Sequence, residues 1–121
     1  MISILVVDDE PDILEMMKDF LSSKGYAVDT APDGTIAIEK IRNERPKVVL
    51  LDIIMPGMWG IDVIKEIKKI DPVITVIIMT AIGDAETESR AMKLGAFDYI
   101  TKPFNLDSLD TMLSKLVSCH K

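Results

Sequence analysis

Three aspartates, a threonine and a lysine stand where apolar runs of this chain come to an end. Asp8-Asp9-Glu10 follows Ile2-Ser3-Ile4-Leu5-Val6-Val7, and Asp52 closes Val48-Val49-Leu50-Leu51 before a Pro56-Gly57 turn. Thr80 follows Val73-Ile74-Thr75-Val76-Ile77-Ile78-Met79, and Lys102 follows Phe97-Asp98-Tyr99-Ile100-Thr101. Taken singly, each has a bland explanation. Asp52 would cap a turn, Asp8 and Asp9 would cap the next helix and favour its dipole, Thr80 would be a core threonine, and Lys102 a surface lysine. Taken together they make a chemical set. Packed carboxylates repel one another and must take up protons or hold a cation. A hard divalent ion such as Mg²⁺ prefers such oxygen ligands. A hydroxyl and a lysine beside that ion are equipment for stabilising a transferring phosphoryl group. Asp52 is the candidate nucleophile, because a carboxylate can form an acyl phosphate. No Walker sequence or GxGxxG cradles a nucleotide, so the phosphoryl group would arrive on a donor. His120 is the only histidine and Cys119 the only cysteine, which leaves no Ser/His or Cys/His system.

The set works only if one scaffold gathers it. The apolar runs are short and rich in Val, Ile and Leu, as strands buried on both faces are. Helical periodicity separates them. It runs from Ile13 to Leu21 before Gly25, through Ile36, Ala37, Ile38 and Ile41, from about Gly60 to Lys69, from Gly83-Asp84 to Leu94, and from an Asn105 cap through Val117. Tyr26-Ala27-Val28-Asp29-Thr30-Ala31 supplies the remaining strand. Five strands alternating with five helices predict an α/β domain, (βα)5, with helices on both faces of a parallel sheet. The first, third and fourth strands are apolar throughout and belong in the centre; the second and fifth are mixed and belong at the edges. Right-handed crossovers then give the order 2-1-3-4-5, the flavodoxin-like arrangement. Its winding reverses between the first and third strands, which brings Asp8 and Asp9 beside Asp52.

Length and charge narrow the class. The 121 residues suit one domain, 1–121. A net charge of −6 argues against a nucleic-acid surface and an anionic membrane face. No apolar run is long enough to span a bilayer, no basic leader precedes Ile2, and the lone cysteine fits a reducing compartment. The expectation is a cytoplasmic protein.

With these residues in place, the chain resembles the receiver domain of two-component response regulators. The signals are Val7-Asp8-Asp9-Glu10, the run from Asp52 through Ile53, Ile54, Met55, Pro56, Gly57, Met58 and Trp59 to Gly60, then Met79-Thr80-Ala81 and Lys102-Pro103-Phe104. Each is weak alone; the four in this order and spacing are specific, and they cover essentially the whole chain. Gly83-Asp84-Ala85-Glu86-Thr87 and the stretch from Ala91 to Tyr99 are similar to receivers of the nitrogen-regulation type. Those often precede an AAA+ ATPase and a DNA-binding domain, and neither lies within these residues. The 121 residues fit a stand-alone receiver or a piece of a longer regulator.

The resemblance implies a phosphorelay protein in which Asp52 accepts a phosphoryl group from a phosphohistidine on a sensor histidine kinase or histidine phosphotransfer protein. Asp9 and Asp52 would ligate Mg²⁺ directly, with the backbone carbonyl of Ile54 as a third ligand and Asp8 acting through water. Lys102 would pair with the phosphate oxygens, Thr80 would turn its hydroxyl to them, and Ala81 would leave room. The Lys102-Pro103 bond would be cis. Tyr99 lies at an aromatic switch position, against a plainer reading as a half-buried aromatic on an edge strand. The fourth helix, fifth strand and fifth helix would form the output surface toward a downstream effector domain or protein. Phosphorylation-driven homodimerisation is compatible with the resemblance. The domain would catalyse only its own phosphorylation and dephosphorylation, and would not be an enzyme for an outside substrate. Trp59 reads as a loop residue packing locally, or as a partner anchor. Ile54 and Ile82 follow Asp52 and Thr80 by two residues; apolar side chains cannot orient an attacking water, so slow autodephosphorylation is expected. The alternative is an Mg²⁺-dependent phosphatase with Asp52 as nucleophile, although Ile54 stands where such enzymes carry a general acid. An FMN binder ranks far below, because the acidic loop after the first strand is ill suited to phosphate.

Overall fold

The computed structural model describes residues 2–53, 60–81, 85–102 and 105–119. In chain order the elements are β1 (Ser3–Val7), α1 (Pro11–Ser23), β2 (Ala27–Ala31), α2 (Gly34–Glu44), β3 (Val48–Asp52), α3 (Gly60–Ile70), β4 (Thr75–Ala81), α4 (Ala85–Lys93), β5 (Asp98–Lys102) and α5 (Leu106–Cys119). The strands form one sheet in the order β2-β1-β3-β4-β5, every pairing parallel. The flavodoxin-like architecture expected from the pattern of strand polarity is the one observed.

The reason is the two-residue period of the central strands. Leu5, Val7, Val49, Leu51, Ile53, Val76 and Ile78 face one way, onto Ala37 and Ile41 of α2, Ile61, Ile64 and Ile67 of α3, and Ala91 of α4. Ile4, Val6, Val48, Leu50, Ile77 and Met79 face the other way, onto Met17 and Leu21 of α1 and Leu109, Leu113 and Leu116 of α5. β3 is buried along its full length. Truncating one of its leucines, Leu50→Ala for example, leaves a cavity costing about 2–5 kcal/mol. Helix ends follow local chemistry. Asp33 Oδ1 accepts the Ile36 N–H at 2.9 Å, and Asn105 Oδ1 accepts the Ser108 N–H at 2.7 Å. Gly25, at φ +96°, takes the chain out of α1 in a conformation that side chains resist.

Several expected strand boundaries shift, and those of β4 and β5 matter for the site. The apolar run from Val73 does not start as strand. Asp71 accepts the Val73 N–H on its carboxylate at 3.0 Å and the Ile74 N–H on its backbone carbonyl at 3.2 Å, while Lys68 Nζ takes the Ile74 carbonyl at 2.8 Å. Those bonds hold residues 71–74 as a turn, so β4 starts at Thr75 and runs on through Thr80 to Ala81. Likewise β5 begins at Asp98 and includes Lys102, which was expected in the following turn. β2 begins one residue later than its expected start at Tyr26. The proposed start of α4 at Gly83-Asp84 and the Lys102-Pro103 bond fall outside the described residues.

The outer edge of β2 carries a lock of its own. Ala27 N–H donates to Ile2 O and Ala31 O accepts from Asp8 N–H, so the alternation turns the backbone groups of Val28 and Thr30 outward. Thr30 N–H is taken by its neighbour's carboxylate, Asp29 Oδ1, at 2.8 Å, and Thr30 O by Lys40 Nζ from α2 at 2.7 Å. Lys40 Nζ also contacts Asp29 Oδ1 at 2.9 Å. Half of the outward edge is thereby closed to an added strand. Joint replacement Asp29→Ala, Lys40→Ala should speed hydrogen exchange at the Thr30 amide and strengthen self-association in sedimentation; an unchanged exchange rate would show that the pair guards nothing.

Candidate phosphoryl-acceptor site

The site residues lie at the carboxyl ends of the strands because the apolar runs end there. Asp8 follows β1 and is fully buried; its backbone N–H reaches Ala31 O at 3.2 Å, so the chain is still tied to the sheet at this point. Its two carboxylate oxygens have separate duties. Oδ1 accepts the Glu10 N–H at 3.0 Å and Oδ2 accepts from Lys102 Nζ at 2.8 Å. Asp8 therefore does serve the approach to α1, although the N-cap itself is Glu10, which makes no side-chain cap bond. Asp52 is the last residue of β3 and is 7% exposed. Its Oδ2 lies 3.2 Å from the same Lys102 ammonium. Lys102, at the end of β5, thus reaches across the end of β4 to carboxylates on two other strands.

Charge explains why the lysine is held there. Removing a carboxylate from water is costly unless it is paired. Burial alone would push the Lys102 pKa down, but the hydrogen bond to Asp8 and the charge of Asp52 outweigh it and raise it above an ordinary lysine. Because the folded-state value is the higher one, the stabilisation is complete below the ordinary lysine pKa of about 10.4 and is lost as pH rises through the raised value. Lys102→Ala should cost about 2 kcal/mol near neutral pH. In denaturant titrations the gap to wild type should close only in strongly alkaline solution. A gap that closes near neutrality would contradict the assigned ion pairs.

Thr80 sits inside β4, 1% exposed, and its Oγ1 finds no hydrogen-bond partner among the described residues. A buried orphan hydroxyl is destabilising, typically by about 1–3 kcal/mol. Thr80→Val, which keeps the shape and removes the hydroxyl, should therefore raise the unfolding free energy by about 1 kcal/mol. A loss of stability would show that the hydroxyl has a partner after all. In the ladder Thr80 pairs with Thr101, and Ala81 with Lys102.

The acids are arranged somewhat differently from the expectation. Carboxylate oxygens of Asp8, Asp9 and Glu10 come within 4.8 Å of one another, and Asp9 and Glu10 are exposed. Glu10 enters the sequence reading only as part of a motif, and its grouping with the two acids is set by the bend of the chain after β1. Asp52 is joined to this group through Lys102. All the donors are oxygens, a set that fits a hard divalent cation. Ile54 and Trp59 lie outside the described residues, as does Ile82. Tyr99, expected at a switch position, is 40% exposed on the outer strand β5.

A parallel five-stranded fold with buried acids, a buried threonine and a bridging lysine at its carboxyl end defines a class. The chain belongs to the response regulator receiver domain family, whose model matches residues 4–114. It is 37% identical over 116 residues to the probable transcriptional regulatory protein TcrX of Mycobacterium tuberculosis, covering 96% of this chain and 50% of that protein. It is 41% identical over 114 residues to the chemotaxis protein CheY of Thermotoga maritima, covering 93% of this chain and 95% of that one. Among solved structures, NtrX from Brucella abortus matches with a TM-score of 0.91 and 36% identity, over 97% of this chain and 27% of that one. The nitrogen-regulation resemblance is thus supported. The chain spans about half the length of TcrX and about a quarter of the NtrX chain, yet nearly all of CheY. Receivers of this family are regulatory switches in two-component signalling. No helix among the described residues is long and apolar enough to cross a membrane.

Proposed function

We propose that residues 1–121 are a receiver in which Asp52 accepts a phosphoryl group from a phosphohistidine on a sensor histidine kinase or histidine phosphotransfer protein. The observation that carries the reading is the Lys102 ammonium, 2.8 Å from Asp8 and 3.2 Å from Asp52. A carboxylate oxygen of Asp52 attacks phosphorus, the bond from phosphorus to the donor nitrogen breaks, and that nitrogen keeps the electron pair. The product is an acyl phosphate on Asp52. Lys102 is already tethered at the attacking carboxylate, so it can follow the incoming negative charge without entering from solvent. Mg²⁺ would be held by Asp8, Asp9 and Asp52, with the Ile54 carbonyl, and when bound it neutralises charge on the phosphoryl oxygens. The acidic cluster supports that assignment.

The buried Thr80 hydroxyl supports the switching role. A phosphoryl oxygen at Asp52 would supply the partner this donor lacks, and Ala81 would leave it room. Phosphate therefore stabilises one packing over another, which is a shift in population. Tyr99 would move inward from its exposed position as Thr80 moves. Met92, Phe97 and Tyr99 are each exposed, on α4, the segment after it and β5, which favours this side as the output surface toward an effector or a second receiver. Apolar Ile54 and Ile82 would make hydrolysis slow. A cytoplasmic setting follows from such partners. The phosphatase alternative has no observation in its favour.

The test is intact mass after incubation with a small acyl phosphate. One added phosphoryl group, dependent on Mg²⁺ and absent from Asp52→Asn, is the expected result. An equal adduct on Asp52→Asn, or rapid release of phosphate with no adduct, would overturn the assignment.

A further inference from the structure

Ile53, immediately after Asp52, is held from two sides. Its N–H donates to Met79 O on β4 at 3.1 Å, and its carbonyl accepts the Gly60 N–H at 2.9 Å. Gly60 opens α3 and approaches so closely that a Cβ there would lie 2.5 Å from Ile53 Cα and 2.6 Å from its carbonyl oxygen. Comfortable carbon contacts begin near about 3.5 Å, and the obstacle is backbone, not the end of a flexible side chain. Among the described residues Gly25 and Gly95 are the glycines at positive φ. Gly60 is required for space and not for a special backbone conformation.

We propose that Gly60 is a positioning residue for the phosphoryl acceptor. Resting on the reading of Asp52 given above, the argument is geometric. A side chain at position 60 must push Ile53 or tilt α3. Ile53 is fully buried and bonded to β4 on its far side, so the displacement passes to its chain neighbour, Asp52. The contact from Asp52 Oδ2 to Lys102 Nζ is 3.2 Å, already at the long end for such a bond. A small displacement separates the acceptor from its lysine. The absence of a side chain at position 60 thus sets the spacing of the reacting groups from outside the site.

Gly60→Ala tests this against Gly25→Ala. Gly25 has nothing within 4 Å of its would-be Cβ, but sits at φ +96°. Alanine there brings backbone strain, and the position lies beyond α1, away from the strand ends that carry Asp52. Both variants should lose thermal stability. Phosphorylation by a small acyl phosphate, per folded molecule, should fall about tenfold to a hundredfold in Gly60→Ala and stay within about twofold of wild type in Gly25→Ala. The carboxylate carbon resonance of Asp52 should move in the first variant and hold in the second. If Gly60→Ala folds poorly, trimethylamine N-oxide will favour the folded state; recovery of fold without recovery of rate supports the proposal. A wild-type rate together with an unmoved Asp52 resonance in Gly60→Ala overturns it. If wild type itself accepts no phosphoryl group, the functional reading has failed, and the Asp52 resonance alone decides whether Gly60 positions that carboxylate.

Discussion

One ammonium holds this molecule's chemical end together. Asp8 is fully buried and Asp52 nearly so, and Lys102 stands within hydrogen-bond distance of each, which offsets the cost of burying them. Three strands therefore meet through a single side chain. The same tether is a poised tool. Under the proposed function, a lysine that already neutralises Asp52 would be in place as that carboxylate gained negative charge, with no solvent reorganisation needed to bring it. Resting stability and reactivity draw on one interaction, so the two are expected to change together when it is altered.

The second constraint is the sheet that delivers these groups. β1 and β3 are neighbours although α1, β2 and α2 separate them in sequence. That reversal of winding opens the crevice at the strand ends. Helices cover both faces, and the acids lie at the carboxyl ends of the central strands. The edges are treated differently. β2 is closed in part by Asp29 and Lys40, whereas β5 leaves Tyr99 exposed beside Phe97.

Much of this was legible in the sequence for a physical reason. Val48 to Leu51 is apolar at every position, which only a strand covered on both faces can use, and Asp52 marks where that cover ends. The same reasoning sorted central from edge strands and so fixed the order of the sheet. It failed where side chains compete for backbone bonds. Val73 looked like strand, but the Asp71 carboxylate and Lys68 turned it into a loop. It also placed Lys102 past the strand, because a lysine before Pro103 reads as a turn. Two further features had no legible signal. The grouping of Glu10 with Asp8 and Asp9 depends on how the chain bends after β1, and the contact of Gly60 with Ile53 depends on backbone packing that no side-chain pattern encodes.

The central claim is that Asp52, and no other acid of the crevice, takes the phosphoryl group. Borohydride reduces an acyl phosphate to an alcohol, which would convert a phosphorylated Asp52 to homoserine. Peptide mass analysis of the treated, full-length chain should find homoserine at position 52 and unmodified aspartate at positions 8 and 9. Homoserine at position 8 or 9 in place of 52, or at none of the three after phosphorylation is shown by mass, would contradict the account.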